Sequence, residues 1–417
     1  MKLTHPAHSV WLTAPRQQGL RYVNGGVTAA QGFLAAGVSA GIKRSRKPDL
    51  SLVYSKKPVA AAAVFTRNTV KAAPVLISRE RLRSGRSQAV LINSGCANCM
   101  TGDPGKRDAL LLGLDVAQAL EIPENNVLLA STGLIGRRLP VLRIRRVIPK
   151  LAASLSRANH RAAAQAILTT DIMPKEAAFE ARIHGRAVRA GGMAKGAGMI
   201  APSMATMLCV ITTDAAVAPA LLRKLLVQAT ETTFNRISVD GDMSTNDTVF
   251  LLASGESGVS IREGSSGARA LLALLRAVAE SLALMIVQDG EGAMRLMDVE
   301  VVGARTDAQA QACARQVAFS PLVKTMLAGG DPNVGRIGGA VGASPARFDP
   351  DKLDIFVGEH RVVAGGVVSE DKGLLRKLIS QKLVRVRVNL HAGRGAGRML
   401  TCDLGHEYVR INAGYAT

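Results

Sequence analysis

Gly196-Ala197-Gly198-Met199-Ile200-Ala201-Pro202-Ser203-Met204-Ala205-Thr206-Met207-Leu208, running on into Cys209-Val210-Ile211-Thr212, is the stretch that decides how this chain reads. Together with Gly191-Gly192-Met193-Ala194-Lys195 before it, its first part reads as a glycine-rich loop of small residues. From Thr206 onward the apolar, β-branched run reads as a strand. A threonine therefore stands at the mouth of a strand, behind a loop whose backbone can take unusual angles and let other groups approach closely. If the peptide bond before Thr206 breaks, the hydroxyl lies beside a free α-amine. That amine, with a reference pKa of about 8, can act as the hydroxyl's general base without any histidine. Against this stands the ordinary role of such a threonine, a β-branched residue that favours a strand.

Outward from this point, short aliphatic runs alternate with helical patterns. Residues 50–54, 60–65, 75–78 and 89–93 read as strands, several nearly continuous in apolar residues, as in sheets covered on both faces. Asp103-Pro104 reads as the start of a helix with Leu110, Leu111, Leu114, Ala117 and Leu120 on one face. A strand over 127–130 ends in Ser131-Thr132-Gly133, and two helical stretches fill 139–168. Beyond the central strand, Pro219 opens a helix with Leu221, Leu222, Leu225, Leu226 and Ala229 at helical spacing. A polar, turn-rich block over 240–248 precedes a strand at 249–253, and 271–287 reads as a buried helix. A smaller α/β segment follows, with helices near 306–328 and strands near 353–368 and 383–390. The pattern is mixed α/β, sheets layered with helices.

The 417 residues carry a net charge of +21, and the asymmetry is pronounced: residues 1–205 hold +20 and residues 206–417 hold +1. Such asymmetry raises nucleic acid as a candidate partner. The densest basic stretch, Arg137 to Arg146, interleaves its arginines with aliphatics and offers no aromatic for a base to stack on. A solvated basic face, or attraction of anionic substrates, accounts for it more simply. Five cysteines, with Cys96 and Cys99 the only close pair, lack a second pair or paired histidines to complete a zinc site. They point to a reducing, cytoplasmic setting, and nothing reads as a signal peptide or a membrane span. Gly-x-Ser-x-Gly, His-Glu-x-x-His and Walker spacing are absent. Gly393-Arg394-Gly395-Ala396-Gly397 reads as a turn.

The 196–208 stretch closely resembles the cleavage and nucleophile motif of the ornithine acetyltransferases, the dual-function enzymes of arginine biosynthesis. The likeness runs the length of the chain: Phe65-Thr66-Arg67-Asn68, Lys71-Ala72-Ala73-Pro74-Val75, Asn93-Ser94-Gly95, Ser131-Thr132-Gly133, Thr169-Thr170-Asp171, Ser244-Thr245-Asn246-Asp247-Thr248, Asp289-Gly290-Glu291-Gly292, Asp331-Pro332-Asn333 and Ile411-Asn412-Ala413 follow in order. The resemblance implies an N-terminal-nucleophile-like large domain over about 1–295, spanning both products of a self-cleavage between Ala205 and Thr206, and a smaller α/β domain over about 296–417. It implies Thr206 as nucleophile, Thr132 and Gly133 as oxyanion donors, and Thr169, Lys195, Glu291, Asn412 and the terminal Thr417 as substrate contacts. Acetyl would pass from N-acetylornithine to glutamate through an acetyl-threonine, with acetyl-CoA a further candidate donor and no bound cofactor or metal. The fragments 1–205 and 206–417 would stay together, two of each in the assembly. The chain departs from the family pattern at Ser203, Met243 and Val334 and in the tail Gly414-Tyr415-Ala416-Thr417. Two other readings stand beside this one: an amidohydrolase in which water resolves the acyl-threonine, and a non-catalytic basic relative that binds nucleic acid.

Overall fold

The computed structural model describes residues 19–201 and 207–414. The large sheet is built from β1 (Leu20–Tyr22), β2 (Leu34–Val38), β3 (Leu50–Phe65), β4 (Arg86–Cys96), β5 (Val127–Leu134), β6 (Lys175–Ile183), β7 (Arg186–Lys195) and β8 (Leu208–Thr213). The short β9 (Ala216–Val217) and β10 (Ile237–Ser238) follow, and β11 (Thr248–Ala253) completes the large sheet. Its order is β1-β6-β7-β8-β11-β3-β4-β5, with β2 also on β3. The pairs β8–β11 and β4–β5 are parallel and the rest antiparallel.

Helices cover both faces. In chain order they are α1 (Ala73–Arg81), α2 (Gly102–Leu120), α3 (Val141–Ala153), α4 (His160–Ala166), α5 (Pro219–Thr232) and α6 (Ser266–Gln288). The two-residue period of a strand explains the layering. In β8, Cys209 and Ile211 join the core under α5 and α6, whereas Leu208 and Val210 join the core on the opposite face. In β11, Val249 and Leu251 go one way, Phe250 and Leu252 the other. Strands buried on both sides favour apolar residues along their length, and the buried threonines that interrupt the pattern, Thr212, Thr213 and Thr248, each donate the hydroxyl to a backbone carbonyl. Helix α6 is long and apolar enough to cross a membrane by composition, yet most of it is buried within this core.

The second sheet runs β10-β18-β13-β17-β14-β15-β16, after a two-stranded pairing of β12 (Ser260–Ile261) with β9. Its strands are β13 (Leu296–Ala304), β14 (Asp354–Val357), β15 (His360–Ala364), β16 (Val367–Val368), β17 (Leu383–Asn389) and β18 (Gly395–Cys402). Helices α7 (Asp307–Phe319), α8 (Pro321–Gly329), α9 (Gly335–Gly342), α10 (Lys372–Ile379) and α11 (His406–Ala413) belong to this part of the chain. In β17 the alternation is one-sided: Val384, Val386 and Val388 are buried, and Arg385 and Arg387 face out.

The layered α/β class expected from the sequence is the one observed, but several elements differ. Residues 75–78 lie in α1, not in a strand. Pro74 sits in the first turn, and the buried positions Pro74, Val75, Ile77, Ser78 and Arg81 recur at helical spacing. The two expected strands at 50–54 and 60–65 are one, β3, with an irregular register between Tyr54 and Val59. Gly191 to Lys195 belong to β7, so the loop begins only at Gly196. Gly191 serves close packing, because a Cβ there would sit 2.0 Å from the Gly26 carbonyl oxygen. Gly395 and Gly397, read as a turn, lie in β18 where α7 packs tightly. Helix α2 buries Asp108, Ala109, Leu112, Val116 and Ala117, and Leu114 is exposed. Its buried face mixes Leu112 and Val116 with small residues, Gly105, Ala109, Gly113 and Ala117, and a search for large apolar side chains does not register those small ones.

Leu282 of α6 is fully buried and lies against β7 at Gly192. Leu282→Ala is expected to destabilise the protein by about 2–5 kcal/mol, measured by urea unfolding; a loss below 1 kcal/mol would mean that this helix is not the core of the large layer.

Candidate active site

A cavity of about 370 Å³ opens among the ends of β5, β7, β8 and β11 and one side of α11. Thr132, Gly133, Thr169, Lys195, Glu291 and Asn412 all line it, as does Met207, the residue that follows Thr206 in the chain. Ala205, Thr206 and Thr417, the cleavage pair and the terminal contact expected from the sequence, lie outside the described residues. Six expected site residues, drawn from five separate segments of sequence, are thus brought to one place.

Thr132 and Gly133 lie next to the end of β5, which pairs with β4 so that Ser94 faces Thr132 and Gly95 faces Gly133. Gly133 has φ +129°, and a Cβ on it would lie 2.3 Å from the Gly95 carbonyl carbon. No other residue fits there. Beneath the pair, Asn93 accepts from the Ser131 hydroxyl at 2.5 Å and donates to the Cys96 carbonyl at 2.8 Å. With its amide set by the surrounding acceptors, Asn246 donates to the Ser131 and Ala97 carbonyls at 3.0 Å each. The strand end is thus braced by side chains from two other segments.

The opposite wall rests on a buried ionic triad. Lys175, at the start of β6, places its Nζ 2.6 Å from Asp171 Oδ1 and 2.5 Å from Asp289 Oδ2, and all three side chains are shielded from solvent. Asp171 also accepts from the backbone N–H of Gly196 at 2.6 Å and of Thr169 at 3.0 Å, and Lys195 Nζ stands 4.0 Å away. Burial opposes the charge on Asp171, but Lys175 and Lys195 outweigh it and hold the carboxyl well below its ordinary range. Burial likewise opposes the Lys175 ammonium, and the two carboxylates raise its pKa in spite of it. Thr169, Lys195 and the Gly196 turn are all tied to this one cluster.

The third wall is acidic. Glu291 is buried, receives a 2.6 Å hydrogen bond from Asn412 Nδ2, and donates its own N–H to the Ala197 carbonyl at 2.8 Å. Asp240 accepts from the Met199 and Ile200 N–H groups and from the Tyr408 hydroxyl at 3.2 Å. Burial and Asp240 push the Tyr408 phenol well up, so it stays a donor. Helix α11 therefore brings both Tyr408 and Asn412 to the cavity.

Asp247 was not singled out by the sequence. It is buried at the head of β11, next to Thr248, whose N–H donates to the Met207 carbonyl at 2.9 Å. Its Oδ2 meets no hydrogen-bond partner among the described residues, and burial drives its carboxyl well above the usual range, against the pull of Ser244 and Lys195. Motifs quoted earlier as family likeness turn out to frame this turn: Thr66 Oγ1 donates to the Ser244 carbonyl at 2.7 Å, Asn68 to that of Met243 at 3.0 Å, and the Ala72 N–H to that of Thr245 at 3.0 Å. Cys96 and Cys99 are buried free thiols; no cluster of three or more His, Cys, Asp or Glu suited to a metal occurs among the described residues.

The geometry defines an α/β protein with one deep site in which hydroxyl and amide donors, a lysine and a carboxylate converge. The ArgJ family model matches residues 34–417. The arginine biosynthesis bifunctional protein ArgJ of Synechocystis sp. is 46% identical over 407 residues, covering 95% of this chain and 98% of its own. Its counterpart from Geobacter sulfurreducens is 47% identical over 394 residues, covering 93% and 99%. Among solved structures, an ornithine acetyltransferase complexed with ornithine from Mycobacterium tuberculosis is 46% identical over 45% of this chain and 100% of that one, with a TM-score of 0.43. The chain belongs to the ArgJ family, the ornithine acetyltransferase family its sequence resembles, and is an acyltransferase of arginine biosynthesis.

Two outcomes test this site. Lys175→Met strands two carboxylates in the interior and is expected to cost about 3–5 kcal/mol of unfolding free energy at neutral pH, read by denaturant titration; an unchanged midpoint would refute the triad's role. The second concerns Asp247, which titrates near pH 4 when unfolded and higher when folded. Folding takes up its proton between those values, so its contribution is full below about pH 4 and is lost as pH rises through the folded value. Asp247→Asn should therefore gain thermal stability relative to the parent as pH is raised from about 5 to about 8. A gap that stays constant would show that the carboxyl is not held neutral.

Proposed function

We propose that this enzyme moves an acetyl group from N-acetylornithine to glutamate through an acetyl ester on Thr206. The observation that carries the reading is the convergence of Thr132, Gly133, Thr169, Lys195, Glu291 and Asn412 around a cavity that Met207 also lines. Thr206 Oγ attacks the acetyl carbonyl, and its proton passes to the α-amine of Thr206. The Thr132 hydroxyl and the Gly133 N–H hold the oxyanion. As the C–N bond breaks, the α-amine returns that proton to the departing ornithine nitrogen. Glutamate's amine then attacks the ester, its proton travels by the same amine to Oγ, and N-acetylglutamate leaves. Lys195 suits the carboxylate of either amino acid, and Glu291, oriented by Asn412, suits the side-chain ammonium of ornithine.

The α-amine arises when water hydrolyses the Ala205–Thr206 bond in a reaction that the Thr206 hydroxyl initiates. Fragments 1–205 and 206–417 remain one fold after such a cut, because β7 and β8, on either side of it, are hydrogen-bonded neighbours from Ala190↔Thr213 to Lys195↔Leu208. An assembly of two copies of each fragment, and acetyl-CoA as a second donor to glutamate, complete the proposal on the family resemblance.

Purified protein should give two fragments of similar size on a denaturing gel, and Thr206→Ala one full-length band without activity. Incubated with N-acetylornithine and glutamate, the parent enzyme should yield N-acetylglutamate and little free acetate. Acetate as the main product would replace this reading with the amidohydrolase, and an intact chain turning over at full rate would remove Thr206 from the mechanism.

A further inference from the structure

Apart from Lys175 and Lys195, the positive charge of the first half of the chain has no role in the chemistry above, but part of it is gathered in a second cavity, of about 380 Å³. Its walls carry Lys43, Arg44, Arg46, Arg137, Arg138 and Arg143, and no carboxylate is among the residues that line it. The loop that presents the first three cations is pre-formed. Asp49, fully buried, accepts from the N–H groups of Ala40 at 2.6 Å, Ile42 at 2.6 Å and Lys43 at 3.0 Å. The turn is closed by Arg46 N–H on the Lys43 carbonyl at 3.2 Å, with Arg46 in the left-handed region at φ 57°. Arg143 reaches across to the Gly41 carbonyl at 3.3 Å, and Arg138 is held by Asp108 at 2.7 and 2.9 Å. Holding this many like charges around one hollow costs repulsion, and a polyanion inside it would offset that cost.

The cavity also adjoins the active site. Gly95 and Cys96 line it on one side, and on the other they press against Gly133, where a Cβ would lie 2.3 Å from Gly95 C and 2.5 Å from Cys96 N. The segment after β5 runs from one cavity to the other: Leu134 and Ile135 line the first, Arg137 and Arg138 the second. Burial holds the Lys43 ammonium down at about 8, against the pull of Asp49, a state that a bound anion would relieve.

We propose that this basic cavity binds the diphosphate group of a phosphorylated organic anion and seats it one backbone layer from the oxyanion donors. Guanidinium forks match phosphate oxygens in pairs, and the hollow is larger than a single inorganic anion needs. The absence of aromatic side chains from its walls argues against stacking of nucleic-acid bases. Two sources share this chemistry: the diphosphate of acetyl-CoA, which rests on the acetyl-CoA reading above, and a free nucleoside diphosphate, which does not.

The test uses the whole enzyme and the double variant Arg44→Ala/Arg143→Ala, which leaves every residue of the acetyl-transfer site in place. Calorimetry with pyrophosphate and with ADP should show saturable binding to the parent and a loss of roughly tenfold or more in the variant, with N-acetylornithine-dependent acetylation of glutamate unchanged in both. If acetyl-CoA is a donor, its KM should rise by a similar factor in the variant while the KM for N-acetylornithine does not. If acetyl-CoA is no donor but pyrophosphate and ADP still bind the parent and not the variant, the cavity stands with a free nucleotide as its ligand, and only the acetyl-CoA reading falls. The proposal is overturned if neither probe binds, if both proteins bind alike, or if sulfate at matched ionic strength competes as well as pyrophosphate.

Discussion

One ammonium, Lys175, sits with no solvent exposure between the carboxylates of Asp171 and Asp289, and the arrangement of the active site depends on it. Each ion alone would be prohibitively costly in this interior; together, with backbone N–H groups filling the remaining acceptor positions, they are stable and stiff. Because the three residues come from the segment after α4, the start of β6 and the end of α6, the triad fixes three parts of the chain at once. Through Asp171 it also sets Thr169, Gly196 and Lys195, while Asp289 lies two residues before Glu291. The spacing between the cavity's lysine and its carboxylate is therefore a property of the fold rather than of two mobile side chains.

The division of charge follows from the same economy. The active cavity holds Lys195 against Glu291, Asp240 and Asp242, a mixture suited to amino acids that carry both signs. The neighbouring cavity holds cations alone. A thin wall at Gly95–Cys96 separates them, and that wall is the strand pair whose end carries Thr132 and Gly133. An anion held in the second cavity would thus lie next to the braced end of β5.

Many of the residues that first marked the family act by holding others. Thr66, Asn68 and Ala72 fasten the turn before β11, and Asn93 and Asn246 brace the end of β5. The bonds of Thr66, Asn68, Ala72 and Asn246 join residues more than a hundred positions apart, and even the 38-residue span from Ser131 to Asn93 leaves no local pattern in the sequence. The buried Asp247 escaped notice for the same reason: a carboxylate in a polar turn looks solvated until the surrounding layers are in place.

What the sequence determined by itself was whatever depends on local periodicity or on motif order. The helix from Pro219, the apolar strands β8 and β11, the buried helix α6 and the layered α/β class all follow from spacing, because side-chain direction repeats along a helix or strand. The resemblance in its motifs gathered Thr132, Gly133, Lys195, Glu291 and Asn412 before any contact was known. Tertiary structure alone decided the rest: that Gly191 and Gly397 belong to strands, that α2 turns Gly105, Ala109, Leu112, Gly113 and Val116 inward, and that a buried lysine organises the site. Those outcomes turn on close approach and desolvation between distant segments, and such quantities exist only once the chain has folded.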